Sequence, residues 1–125
     1  MVKTIASLAV SFALLAGAAL FEHLYIGAKF ERFESALVQL DSKAKEGSAT
    51  RADAESVEAL WEDEKTKLHA MIPHGDILGI DYWLSEAVSL IEEKDYPAAR
   101  SKLQVLITLA RQLPKTYAIS FENVF

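Results

Sequence analysis

The chain contains no cysteine, only three prolines and five glycines, and no surplus of basic residues. Each shortage removes something. Without cysteine there is no disulfide framework, no thiolate zinc site and no thiol nucleophile. That absence is compatible with either side of a membrane. Few prolines, with charged residues at 25%, point to a folded helical body and not to a disordered segment. The formal net charge is -5, and no run of Lys and Arg reverses it locally, so the chain repels phosphate backbones and nucleic-acid binding is not expected. No Gly-x-Ser-x-Gly elbow, phosphate loop or Rossmann glycine set occurs. The 125 residues leave room for one small domain once the start of the chain is set aside.

What the chain has in abundance is an apolar start. Thr4 to Phe21 reads TIASLAVSFALLAGAALF with no charged residue. A helix of about 20 such residues matches a hydrocarbon core about 30 Å thick. Two readings compete. As a signal peptide the segment has a positive end at Lys3, an apolar centre and an A-x-A-like site at Ala16-Gly17-Ala18. As an uncleaved anchor it has a run that continues past that site through Leu20 and Phe21, with Tyr25 where an interfacial aromatic would sit. The longer run favours the anchor. Lys3 and the α-amino group favour the N-terminus inside and the body outside the cytoplasmic membrane, and Lys29 and Arg32 on the other flank weaken that asymmetry. Ala9, Ala13 and Gly17 fall at i, i+4, i+8, a small-residue stripe for packing of anchor helices, although an alanine-rich span also produces such spacing by chance.

Beyond the apolar run the chain divides into helices. Phe30, Phe33, Leu37, Leu40 and Ala44 form a seam at steps of three and four, and no proline stands between Thr4 and Lys45. The spacing therefore predicts that the anchor continues outward as one helix and ends near Gly47. A second helix is expected from Ala52 to Met71, with Val57, Leu60, Trp61, Leu68 and Met71 buried, stopping before Pro73. Asp76 is the expected N-cap of a third helix carrying Ile77, Ile80, Leu84, Val88 and Ile91. Asp95 caps a fourth, with Pro97 in its first turn and an apolar stripe of Ala99, Leu103, Leu106, Ala110 and Leu113 ending at Pro114. The fold class is all-α: a transmembrane helix running into a small antiparallel bundle of three to four helices. Its C-terminal hairpin, Tyr82 to Leu113, is similar to a tetratricopeptide-type pair. The expected divisions are an anchor or uncleaved signal over 1–28, a bundle over 29–115, and a tail over 116–125 folded back on the bundle.

The candidate functional residues are few, and each has a plain alternative. His74 sits in a turn with Asp76, following the helix that holds Trp61, an arrangement suited to a small polar-aromatic site or a pH sensor; the plain alternative is a histidine that caps the turn by hydrogen bonding to backbone. Tyr82 and Trp83 are adjacent, so one should fill the core and the other point outward, where it can anchor a partner. His69 and His74 are five apart with a proline between, and the residues three before each histidine are not Glu, so neither a shared helix face nor a di-iron motif is indicated. Glu62, Asp63, Glu64, Glu92, Glu93 and Asp95 flank lysines and read as solvated or capping carboxylates. No catalytic residue, metal ligand or cofactor is expected.

Trp61, the turn Ile72-Pro73-His74-Gly75-Asp76-Ile77, the connector Lys94-Asp95 and the ending Asn123-Val124-Phe125 together resemble an uncharacterised family of small bacterial membrane proteins, domain-of-unknown-function family 4363. Pro73 departs from the polar residue expected before the histidine. The resemblance implies a bacterial, membrane-anchored helical protein and no assigned activity. The leading expectation is a single-pass protein with an extracytoplasmic body that is not an enzyme. It would act through contacts with a second copy or with another membrane protein, using the Trp61, His74, Asp76, Tyr82 and Trp83 region. The alternative is a secreted helical protein that takes a small ligand near Trp61, Tyr82 and His74.

Overall fold

The computed structural model describes residues 1–124 except Ala70, with backbone only over 116–124. The described residues form four helices and no strand: α1 (Val2–Lys45), α2 (Arg51–Leu68), α3 (His74–Glu92) and α4 (Tyr96–Val124).

The first helix is continuous from the apolar run into the bundle, 44 residues and about 66 Å long. Its two halves differ sharply. From Met1 to Leu24 only Ala19 is even half-covered by the rest of the chain. From Ile26 onward a seam is buried at Ile26, Phe30, Phe33, Leu37, Leu40 and Ala44, the predicted spacing with one further turn added at its start. The helix is long and apolar enough to cross a membrane, and none of its most apolar stretch is buried within the chain.

Gly47 ends α1 as expected. Its φ of 72° is the left-handed conformation glycine adopts without strain, and it lets Ser48 N–H reach the Lys43 carbonyl at 2.8 Å. The same closure ends α3, where Asp95 N–H donates to the Leu90 carbonyl at 2.9 Å. There the left-handed residue is Lys94, with a φ of 60°.

Thr50 begins α2 with a reciprocal capping box. The Asp53 N–H donates to Thr50 Oγ1 and the Thr50 N–H donates to Asp53 Oδ2. The helix stops at Leu68, a turn short of the expected Met71, because the chain must leave the α region ahead of Pro73. Ile72 N–H still reaches the Leu68 carbonyl at 3.1 Å.

Two further expected boundaries are corrected. Asp76 does not cap α3: the helix starts at His74, with Pro73 at the cap position and no side-chain cap. Pro73 accepts the Asp76 N–H through its carbonyl at 3.1 Å, so Asp76 falls inside the first turn, where a carboxylate suits the helix dipole. Pro114 does not end α4, which continues to Val124. The proline removes one donor to the Ala110 carbonyl and the helix absorbs the loss. Asp95 caps α4 as expected, its Oδ1 accepting from Ala98 N–H at 3.4 Å. The expected packing of the 116–125 tail rests on side chains outside the described residues.

The core is one cluster fed by all four helices. Along α1 the closest packing is with α4, which buries Ala99, Leu103, Leu106, Ile107 and Ala110. Polar pairs fix the register of that seam. Asp41 accepts from Arg100 Nε at 3.1 Å and from Gln104 Nε2 at 3.0 Å, and Glu34 pairs with Arg111. Tyr96 Oη donates to the Ala49 carbonyl at 2.8 Å and ties the start of α4 to the α1–α2 turn.

Candidate functional site

The sequence singles out Trp61, His74, Asp76, Tyr82 and Trp83 together, and the fold separates them. Trp61 is 1% exposed, stacked on Phe33 with ring centroids 4.9 Å apart. Its Nε1 donates to Asp81 Oδ1 at 2.7 Å, satisfying the one polar atom the indole brings inside. An exposed interaction surface at Trp61 is thus corrected: its apolar area is used in the core and its N–H is used on α3. Tyr82 is 72% exposed, and Trp83 is half-buried against the core under Lys102 Nζ, 4.8 Å from the ring centroid. Of that pair, Tyr82 is the one that points outward, and Trp83 lies against the core without being enclosed by it.

His74 is exposed and stands at the first position of α3, with Pro73 at the cap. Its ring lies 6.1 Å from that of His69 across the α2–α3 turn. The proline between them bends the chain back and brings the two together. Among the described residues no third ligand joins them in a metal-holding group. Ala9, Ala13 and Gly17 all lie on the bare half of α1, and a Cβ added at Gly17 would meet nothing of this chain within 4 Å.

Two open grooves flank α2. One, of about 290 Å³, is lined by Glu58, Trp61, Lys65, Asp81 and Ser85 among others. Lys65 spans it, 2.9 Å from Glu62 Oε2 and 3.5 Å from Asp81 Oδ1, and the hydrogen bond to Glu62 with the Asp81 charge raises its pKa. Tyr82 and His74 do not line this groove, so the three residues named for a small ligand do not meet there. The second groove, about 350 Å³, lies between α1 and α2 over Ala36, Leu40, Val57 and Leu60. Lys43 Nζ closes one end by donating to Asp53 Oδ1 at 2.7 Å. That bond, with the Thr50 capping bonds, pulls the Asp53 carboxyl down to about 2.

The residue that sequence reasoning misplaced is Glu64. Grouped with Glu62 and Asp63 as a solvated carboxylate, it is instead 0% exposed, and among the described residues neither carboxylate oxygen has a hydrogen-bond partner. Burial raises its pKa to about 7, against the opposing pull of Arg32 and Lys29. The signal was present in the spacing. The buried stripe of α2 is Ala54, Val57, Trp61, Glu64, Leu68, and Glu64 fills the gap between the two apolar residues that flank it.

A family model described as a domain of unknown function (DUF4363) matches residues 20–124. The chain belongs to that family. The match begins as the apolar run ends and takes in the whole bundle. No curated protein and no solved structure matches the chain.

Proposed function

We propose that the protein is a single-pass membrane-anchored helical module that acts through protein contacts and not by catalysis. One observation carries this reading. The first half of α1 is a helix of mean hydropathy 2.1 over its most apolar window with no part of that window covered, yet the same helix runs without a break into a packed core. A core helix of a water-soluble bundle would bury that stretch against its neighbours. A cleaved signal would have no reason to share a helix with the folded body. In a bilayer the bare half is satisfied by lipid, and the rigid helix holds the bundle at the membrane surface.

Lys3 ahead of the span supports a cytoplasmic N-terminus and a body on the opposite side. The contacts are with a second copy through the Ala9, Ala13 and Gly17 stripe, or with another membrane protein.

The test is recovery of the protein from alkaline-washed membranes with Met1 to Ala18 retained, read by mass spectrometry of the intact chain. Retention in the washed membrane with the apolar run present is the expected result. A freely soluble form beginning after Ala18 would overturn the anchor. Because the chain has no cysteine, a Ser48→Cys variant labelled by a membrane-impermeant maleimide on intact cells reads the orientation directly. Labelling from outside is expected, and labelling only after lysis reverses the orientation.

A further inference from the structure

We propose that Glu64 is a proton-operated latch, holding α2 against α1 while its carboxyl is protonated and loosening α2 when it ionises. The geometry begins with its place. Phe33 on Trp61 sets the antiparallel register of α1 and α2, and Glu64 lies one turn further along α2, toward the end of the bundle where α1 leaves for the apolar run. It is wholly buried there with both oxygens unpartnered. A neutral carboxylic acid tolerates such a site far better than a carboxylate, whose charge has neither water nor a hydrogen bond.

The charges around it do not supply a partner. Lys29 and Arg32 act on it from α1, and Asp63 and Lys67 from α2 itself, none within bonding reach of its oxygens. On α3, Asp81 is engaged by Trp61 and Lys65, and Asp76 and the exposed His74 stand in the first turn. On α4, Arg111 is paired with Glu34 across the α1 seam. Among the described residues, ionisation leaves one way to relieve the charge. A small outward movement of α2 admits water and lets Lys29 and Arg32 close on the carboxylate.

The helix that would move is the most lightly packed of the four, since its contacts with α1 and with α3 are both slighter than those α4 makes with them. An open groove already separates α2 from α1 beyond Trp61. The burial that raises Glu64 to about 7 puts the transition within reach of ordinary changes in pH. Burial raises the enclosed carboxyl to about 7, and water together with Lys29 and Arg32 would lower it once α2 moves out. The opening equilibrium therefore rises with pH, by at most about 10-fold per unit, until about 7 and then levels off.

Amide hydrogen exchange on the full chain in lipid nanodiscs reads this opening, with rates corrected for the intrinsic pH dependence of exchange. Protection of the Trp61 to Leu68 amides is expected to fall steadily from pH 5 to 7 and no further above. In Glu64→Gln the same amides should keep one level of protection over that range. A His69→Gln/His74→Gln double variant should retain the wild-type profile, which separates the latch from the histidine pair. Equal profiles in wild type and Glu64→Gln, or loss of the profile in the histidine variant, would overturn the proposal. Should Glu64→Gln fail to fold, the carboxyl carbon resonance of Glu64 in the unaltered chain decides the matter. A midpoint near 7 supports the latch and a midpoint near 4.5 overturns it.

Discussion

The two seams that run along α1 are built differently. Against α4, α1 meets small and branched apolar side chains, and the register is set by Asp41 with Arg100 and Gln104 and by Glu34 with Arg111. Every polar group named there has a partner. Against α2, the contact rests on the Phe33–Trp61 stack and on Lys43 with Asp53, leaves an open groove between them, and buries Glu64 without a partner. The first seam gives the bundle its permanence. The second is the one that chemistry can alter, because its weakest point is a titratable group.

The largest expected effect is on the seam with the groove. Trp61→Ala removes the stack on Phe33 and leaves Asp81 without its indole donor, a loss of about 3–5 kcal/mol read by chemical denaturation in detergent. A change near zero would mean that α2 contributes little to the fold.

Glu64→Leu comes next and has the opposite sign. Replacing an unpartnered buried carboxyl with an apolar side chain is expected to stabilise the bundle by about 1–3 kcal/mol at pH 8. The gain should be smaller at pH 5. A carboxyl whose folded pKa is raised costs nothing by titration below its unfolded value of 4.5, and the cost accumulates as pH rises to about 7. Asp53, at the other end of α2, works in the reverse sense. Its folded value of about 2 lies below the ordinary 3.8, so its contribution is present above 3.8 and is lost as pH falls toward 2. Acid therefore releases one end of α2, and neutral pH strains the other.

On the α4 seam, Asp41→Ala strands Arg100 and Gln104, with an expected loss of about 1–2 kcal/mol that does not vary between pH 5 and 8. A pH dependence as large as that of the α2 variants would erase the distinction between the seams. The smallest effect belongs to neither seam. Lys94→Gly relieves a left-handed backbone at the α3–α4 turn and should stabilise the bundle by at most about 1 kcal/mol, read as a small rise in Tm.

Much of this architecture is legible in the sequence. The α1 seam from Phe30 to Ala44 is legible because its steps of three and four are unambiguous, and Gly47 ends α1 through its backbone freedom while Asp95 caps α4 through its carboxylate. Pro114 and Glu64 depart from expectation for one shared reason. Pro114 reads as a helix terminator by residue type, yet Tyr117, Phe121 and Val124 beyond it resume helical spacing, and the backbone stays helical through them. Glu64 was assigned to solvent by its residue type when its position on the α2 stripe put it inside. In both cases a residue's average behaviour was preferred to the period it stood in. The dispersal of Trp61 from His74 was beyond sequence, because it depends on the register of α2 against α1 and α3, which Phe33 and Asp81 set from other helices.

The difference between the seams is open to a single measurement. In the otherwise cysteine-free chain, spin labels at Gln39 and Ser56 report the α1–α2 separation, and labels at Ser35 and Thr108 report α1–α4. Pulsed electron–electron distance measurements in nanodiscs at pH 5 and pH 8 should show the first distribution lengthen and broaden at the higher pH while the second stays unchanged. Two distributions that shift together, or an α1–α2 distance that does not respond, would contradict the account.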